Sequence, residues 1–237
     1  MATRSTDKPT AGAPPRPGSA LAAAGAAPAL DPRLLSELAG PRWEASWDLL
    51  PTLTTPAADP GARQRLWTLA TMLRPFVRDA FALSGRRTAL DMRCGEGWLA
   101  HRLLSWGARH VVAVDDRPES LRRARLLRDH FAIPATELEL REAHEPAPPG
   151  SDGRFDVVLL TGALDRAGDA ATLAAAYEAT ASICAIECAG PEANAVAAAA
   201  LEAGFASVDR TRPPLQGAPA YVVEHRDLLI AHVRIGR

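Results

Sequence analysis

The alternation of apolar and polar positions changes character near residue 86. From there on, short apolar runs alternate with segments whose apolar residues recur at helical spacing, and Gly, Pro or Asp turns separate them. The run Phe155–Leu160 is almost continuously apolar, as a strand buried on both faces of a sheet should be. This strand–helix alternation predicts a doubly wound, mainly parallel α/β sheet.

Two late apolar runs, 206–209 and 228–233, are separated by a loop rich in proline and glycine, with no helix between them. Parallel neighbours need a long crossover connection, so these two strands are predicted to form a C-terminal antiparallel hairpin. The other predicted strands are 88–92, 110–114, 137–140, 155–160 and 182–187, which makes a seven-stranded sheet.

The first third of the chain has a different organisation. Residues 1–30 are rich in Ala, Pro, Gly, Ser and Thr and contain no aromatic residue, so a disordered tail is predicted there. Asp-Pro pairs at 31–32 and 59–60 each place an N-cap residue before a proline at the first helical position. They predict an N-terminal helical cap or lid over residues 31–85, followed by the α/β domain at 86–237.

Composition narrows the function classes. The 237 residues have a net charge of −1, which gives no overall electrostatic case for binding nucleic acid or an acidic membrane surface. No run of about eighteen apolar residues is present, so no membrane span is predicted and the expected location is the cytoplasm. The three cysteines lack paired spacing, so neither a disulfide framework nor a metal site is predicted. Lys8 is the only lysine among 27 basic residues, a skew typical of GC-rich bacterial genomes.

The turn after the first strand of the α/β domain contains the strongest chemical signal. It consists of Asp91-Met92-Arg93-Cys94-Gly95-Glu96-Gly97. Gly95 and Gly97 lack Cβ atoms, so the backbone can approach a ligand closely, and the next helix points its free N–H groups at the same space. Asp115 ends the second strand, where a carboxylate can accept both hydroxyls of a ribose. A nucleotide-type cofactor site is therefore predicted at this edge of the sheet.

Asp91 favours one class of cofactor over another. The glycine spacing also fits dinucleotide-binding proteins, but there a diphosphate would lie near Asp91 and a carboxylate would repel it. S-adenosylmethionine (SAM) instead presents an ammonium and a sulfonium, which a carboxylate attracts. The terminal antiparallel strand pair is the second feature that favours SAM.

Residues 86–237 resemble the class I SAM-dependent methyltransferases, whose glycine turn has the pattern DxGxGxG. Asp91, Gly95 and Gly97 match this pattern, whereas Arg93 stands where the family usually has glycine. The strands 111–115 and 155–160 are similar to the family's second and fourth strands. The resemblance implies that SAM is the cofactor and that its binding residues are Asp91, Arg93, Gly95, Gly97, Asp115, Asp116, Glu142 and Thr161.

The resemblance also implies a role for each part of this set. Asp115, with Asp116 beside it, would bind the ribose hydroxyls, and Asp91 the methionyl end. Glu142 would bind the adenine amino group, and Thr161 would line the side on which the reaction occurs. The sequence contains no evident acid–base pair; the candidates for a catalytic residue are His144 and Asp165.

A narrower resemblance concerns the acceptor of the methyl group. Trp43, Trp47-Asp48-Leu49 and Thr54-Thr55-Pro56, ahead of the glycine turn, are similar to the bacterial group around the wobble-uridine-modifying tRNA methyltransferases. That group also contains members that act on small molecules or glycans. Because the net charge is only −1 and the N-terminal region is short, a small-molecule acceptor is favoured over tRNA.

Arg93 keeps other hypotheses open. A side chain at this position could narrow the methionyl pocket or demand a backbone angle that only glycine adopts at low cost. It could also pair with an incoming carboxylate. The sequence therefore allows an active methyltransferase, a catalytically weakened protein that uses the methyltransferase fold for binding or scaffolding, and, third, an NAD-dependent oxidoreductase.

Overall fold

The protein is described by a computed structural model, whose described residues are 30–40, 42–50, 52–57, 59, 61–142, 153–161, 170–211 and 226–234. Three predictions fall outside these ranges. They concern the tail, apart from Leu30, and the candidate catalytic residues His144 and Asp165.

The N-terminal region contains two helices and a short hairpin. The first helix begins at Asp31, whose side chain accepts a hydrogen bond of 2.8 Å from the Arg33 N–H, as predicted for an N-cap. The second helix ends at Gly85, whose left-handed φ of 70° stops a helix at little cost. The elements are α1 (Pro32–Leu38), β1 (Asp48–Leu50), β2 (Leu53–Thr54) and α2 (Ala62–Ser84).

A seven-stranded sheet forms the centre of the rest of the described chain. Its order is β5-β4-β3-β6-β7-β9-β8, with β9 antiparallel to both β7 and β8 and the other neighbours parallel. This arrangement confirms the predicted fold class, including the C-terminal antiparallel hairpin. The strands are β3 (Thr88–Met92), β4 (His110–Asp115), β5 (Leu138–Glu142), β6 (Phe155–Leu160), β7 (Thr180–Ala189), β8 (Ser207–Thr211) and β9 (Arg226–His232). The helices are α3 (Trp98–Ser105), α4 (Pro118–His130), α5 (Ala170–Ala179) and α6 (Ala193–Ala203).

The direction in which the sheet is built reverses at β3. The chain moves outward from β3 to β4 and β5, then continues with β6 on the other side of β3 and with β7 beyond it. Ligands of doubly wound sheets bind in the crevice that such a switch point leaves at the carboxyl ends of the strands. The glycine turn, residues 93–97, directly follows β3 and therefore lies at this crevice.

Two apolar layers cover the two faces of the sheet, and the N-terminal region belongs to one of them. Trp43 is fully buried and Trp47 is 5% exposed, and both pack in the layer that contains α2 and α3. The opposite layer packs α5 and α6 against the sheet. The N-terminal region thus shares a core with the α/β unit, and these two indoles fill that core. The third tryptophan of the predicted lid, Trp67, is 43% exposed.

Candidate functional site

A cavity of about 410 Å³ lies at the carboxyl ends of β3, β6 and β7. One of its walls is α2, and another is the backbone and side chain of Glu44 and Ala45 from the N-terminal region. Its volume is within the usual range for small-molecule and cofactor sites. Four of the predicted cofactor residues line it, namely Asp91, Arg93, Gly95 and Thr161.

The glycine turn needs its glycines for two different reasons. Gly95 and Gly97 both have left-handed φ angles, 58° and 80°, which residues with a side chain adopt only with strain. At Gly95 a Cβ atom would also come within 2.5 Å of a Glu44 carboxylate oxygen. Gly97 is the N-cap of α3, so the turn delivers the helix N-terminus to the crevice.

Arg93 has the backbone conformation that the family pattern reserves for glycine. Its φ is 62°, a left-handed value that costs a residue with a Cβ about 1 kcal/mol or more. The Nη2 atom of its guanidinium lies 3.7 Å from the Asp116 carboxylate. The structure therefore brings together two of the predicted cofactor residues, and the Arg93 side chain forms part of the cavity lining rather than filling it.

Asp91 is a buried carboxylate whose charge is poorly compensated. It is 1% exposed, and neither of its oxygens has a hydrogen-bond partner of normal geometry among the described residues. Burial and the nearby negative charge of Asp115 raise its pKa to about 8, although the backbone N–H of Ala100 acts in the opposite direction. A cation entering the cavity would supply the missing compensation.

Asp115 has the opposite environment. Its carboxylate accepts hydrogen bonds from the Gly95 N–H at 2.7 Å and from the Arg117 N–H at 3.0 Å. The Arg117 guanidinium adds two more, at 2.9 and 3.0 Å. Burial by itself would raise the pKa of Asp115, but these hydrogen bonds outweigh it and hold the pKa below its usual value. Arg117 is held from its other side by an ion pair with Glu44.

A buried ion pair fastens the N-terminal region to the glycine turn. Glu96, in the turn, accepts the backbone N–H groups of Glu44 and Ala45 at 3.0 and 3.2 Å and a 3.0 Å hydrogen bond from Arg123 of α4. The Arg123 guanidinium also lies 4.9 Å from the ring centroid of Trp43. Burial raises the pKa of Glu96, while the hydrogen bonds from the two amides and Arg123 act against that rise. The cavity wall at Glu44 and Ala45 is therefore set by folding.

Four predicted cofactor residues do not line the cavity, namely Gly97, Asp115, Asp116 and Glu142. Asp115 and Glu142 are register partners on β4 and β5, and Glu142 is exposed. Gly97 faces α4, where a Cβ would lie 3.7 Å from Ala124. Three residues that were not predicted from the sequence also line the cavity, namely Glu44, Arg117 and Glu187. Of these three, only Glu187 could have been recognised from the sequence, because it is an acidic residue in an apolar strand.

Two features are absent from the described part of the chain. It has no group of three His, Cys, Asp or Glu side chains arranged to hold a metal ion. It also has no helix that is both long and apolar enough to cross a membrane.

Comparisons with known proteins point to one kind of domain. Residues 89–185, from β3 to the middle of β7, match the family model described as a methyltransferase domain. No curated protein sequence matches the chain significantly. The family match and the glycine turn together support a class I SAM-dependent methyltransferase and indicate SAM as the cofactor. They lend no support to the narrower resemblance to tRNA-modifying enzymes.

Solved structures with the same fold are numerous. The N-terminal domain of EvdMO1 with S-adenosylhomocysteine (SAH) bound is 20% identical to this chain and has a TM-score of 0.63. The match covers 85% of this chain and 95% of that one. The chain spans only 46% of the longer EvdMO1 structure, at a TM-score of 0.55. Magnesium protoporphyrin IX methyltransferase (ChlM) from Synechocystis PCC 6803 with bound SAH is 12% identical, with a TM-score of 0.57 over 85% and 94% of the two chains. At these identities the likeness shows the fold.

The raised pKa of Asp91 generates a prediction about stability. Between about pH 4 and pH 8 the folded protein keeps a proton that the unfolded chain has released, so this residue lowers the free energy of unfolding as the pH rises through that window. We expect Asp91→Asn to be more stable than the wild type at pH 8, by more than about 2 kcal/mol, and equally stable at pH 4. Urea unfolding at several pH values measures this. The exposed Asp129→Asn is the control, and an unchanged pH dependence in Asp91→Asn would contradict the prediction.

The buried ion pair generates a second prediction. Arg123→Met leaves the Glu96 carboxylate buried without its charged partner, so the free energy of unfolding is expected to fall by about 3 kcal/mol. The matched control is Arg122→Met on the same helix, because Arg122 is half exposed and its ion pair with Glu37 should contribute less than about 1 kcal/mol. Equal losses of stability in the two variants, measured by urea unfolding, would show that Arg123 does not fasten the turn.

Proposed function

We propose that the chain transfers the methyl group of SAM to an oxygen, nitrogen or carbon nucleophile of a small-molecule acceptor. The observation that carries this proposal is the Asp91 carboxylate, which is buried beside the cavity without a hydrogen-bond partner of normal geometry among the described residues. The ammonium and sulfonium of SAM would stabilise the ionised form of this carboxylate, whereas the diphosphate of NAD would oppose its ionisation. The same observation makes an NAD-dependent oxidoreductase the least favoured of the three hypotheses.

The positions of the other residues are consistent with the roles assigned by resemblance. Asp115 at the end of β4 would bind the ribose hydroxyls, and its register partner Glu142 on β5 would bind the adenine amino group next to it. Gly95 and Thr161 both line the cavity, and Thr161, which follows β6, would line the reaction side. Asp116 would support this end by holding Arg93.

A small-molecule acceptor fits the size of the site. The cavity has α2 on one side and the fastened segment at Glu44 and Ala45 on another, and its volume of about 410 Å³ is that of a small-molecule site. The N-terminal domain of EvdMO1 was also crystallised in the presence of SAH and D-fucose, and this structure has a TM-score of 0.61 to the chain. tRNA remains the less favoured acceptor.

The chemistry asked of the chain is mainly positional. SAM supplies an activated methyl group, so the protein has to hold the donor and the nucleophile close and aligned and keep water out. The N-terminal segment and α2 cover the turn, and this would help both to align the reactants and to keep water out. His144 and Asp165, which lie outside the described residues, stay predictions for a group that removes a proton.

Arg93 supports a second candidate, a binding or scaffolding protein whose cofactor site is weakened. Its left-handed φ of 62° is strained for a residue with a side chain, and its guanidinium stands at the cavity. Arg93→Gly separates the two candidates. A large gain in SAM affinity would mark a degraded site, and a loss would show that the guanidinium helps to bind the cofactor.

Calorimetric titration with SAM, SAH and NAD tests the proposed function. We expect micromolar binding of SAM and SAH, no binding of NAD, and loss of SAH binding in Asp115→Ala, because the ribose hydroxyls would lose their acceptor. Absence of binding for all three ligands in the wild type would reject the proposal and leave the scaffold candidate.

The ion pair between Arg117 and Asp115 generates a further prediction. All strong acceptor positions of the Asp115 carboxylate are in use, so a ribose must displace the Arg117 guanidinium. Arg117→Gln is expected to raise the affinity for SAH about three- to tenfold, because an ion pair whose guanidinium is half exposed contributes about 1 kcal/mol. Calorimetry with SAH measures the change.

The control for this titration is Arg125→Gln, because Arg125 is exposed on α4 and its replacement changes the net charge equally. A weaker affinity in Arg117→Gln alone would show that Arg117 contacts the ligand instead of competing with it.

A further inference from the structure

Glu187 is a buried carboxylate that the proposed cofactor roles leave unused. It is the only charged residue of β7, it is 5% exposed, and it lines the cavity. A carboxylate taken out of water costs free energy unless charged or hydrogen-bonding groups compensate it. Arg226, at the start of β9, forms an ion pair with it, in which Arg226 Nη1 lies 3.6 Å from Glu187 Oε2.

The register of the sheet places Glu187 relative to the cofactor residues. Asp91, Leu159 and Ala185 are partners in one row across β3, β6 and β7. Side chains two residues apart on a strand share a face, so Thr161 and Glu187 lie on the Asp91 side of the sheet, one pleat nearer the crevice. β7 is two strands from β3, which separates Glu187 from the Asp91 strand by about 10 Å.

The cofactor and the acceptor are therefore expected on different sides of β3. Asp115 and Glu142 are on β4 and β5, on one side of β3, whereas Thr161 and Glu187 are at the ends of β6 and β7, on the other. With the ribose on Asp115 and the methionyl end at Asp91, as the proposed function has it, the nucleophile approaches from the β6–β7 side. Glu187 is the acidic group that the cavity presents there.

We infer that Glu187 faces the position at which the methyl group is transferred and binds the acceptor there. Its carboxylate accepts a hydrogen bond from the nucleophile, which makes the acceptor an alcohol or an amine; a carboxylate acceptor would be repelled. The nucleophilic oxygen or nitrogen bonds to the methyl carbon, the carbon–sulfur bond breaks with its electron pair on sulfur, and the proton passes to Glu187. This inference rests on the proposed function.

The test uses a ligand that needs no known acceptor. Sinefungin is the SAM analogue in which an amine-bearing carbon replaces the methyl-bearing sulfonium, so its ammonium donates hydrogen bonds at the transfer position. We expect Glu187→Gln to weaken sinefungin binding about tenfold and to change SAH binding less than twofold in calorimetric titrations of the full chain. Glu192→Gln, just beyond the same strand and away from the cavity lining, should leave both affinities unchanged.

The possible outcomes distinguish a failure of the inference from a failure of the proposed function. Equal losses for sinefungin and SAH in Glu187→Gln, or no change in either, would overturn the inference while leaving the proposed function intact. A wild type that binds neither ligand would reject the proposed function, and the inference with it. If Glu187→Gln does not fold, Glu187→Asp keeps the buried charge but withdraws it by one methylene, and a selective loss of sinefungin affinity of about threefold is then expected; an equal loss of both ligands would overturn the inference.

Discussion

The buried ion pair between Glu96 and Arg123 decides the shape of the site. Glu96 belongs to the glycine turn and accepts two backbone N–H groups of the N-terminal segment, while Arg123 ties both to α4. A half-satisfied buried carboxylate would be costly, so each of these contacts favours the others. They place Glu44 and Ala45 at the cavity in the folded protein. This wall of the site is thus formed when the protein folds and does not require a bound ligand.

Three carboxylates at one edge of the sheet differ because of their surroundings. Asp115 is saturated with donors and remains ionised, whereas burial and the nearby charge of Asp115 raise the pKa of Asp91 to about 8. Glu187 has a long ion pair with Arg226. Ionisable groups that are buried at a cavity are typical of functional sites. The unequal environments give each carboxylate a different proposed partner: ribose hydroxyls, a cation and the acceptor.

Arg93 departs from the family's glycine pattern, and Arg117 covers one of the predicted cofactor residues. Arg93 occupies a left-handed position that glycine would adopt without strain, and Arg117 occupies the carboxylate on which a ribose would bind. Local rules of sequence and conformation are broken mostly at functional sites, where another interaction offsets the cost. Here the ion pairs with Asp116 and Glu44 hold both guanidinium groups in place at the cavity.

The periodicity of apolar residues by itself determined the seven-stranded sheet and its terminal hairpin, because side-chain burial repeats every two residues in strands and about every 3.6 in helices. The glycine turn was also predictable, since left-handed angles and close approach are properties of neighbouring residues. Only the tertiary structure decided that Arg117 meets Glu44, that Arg123 meets Glu96 and that Glu187 faces the cavity. The first two pairs are 73 and 27 residues apart in the chain, and nothing local distinguishes these arginines from their exposed neighbours. Which charges meet depends on how the strands and helices pack.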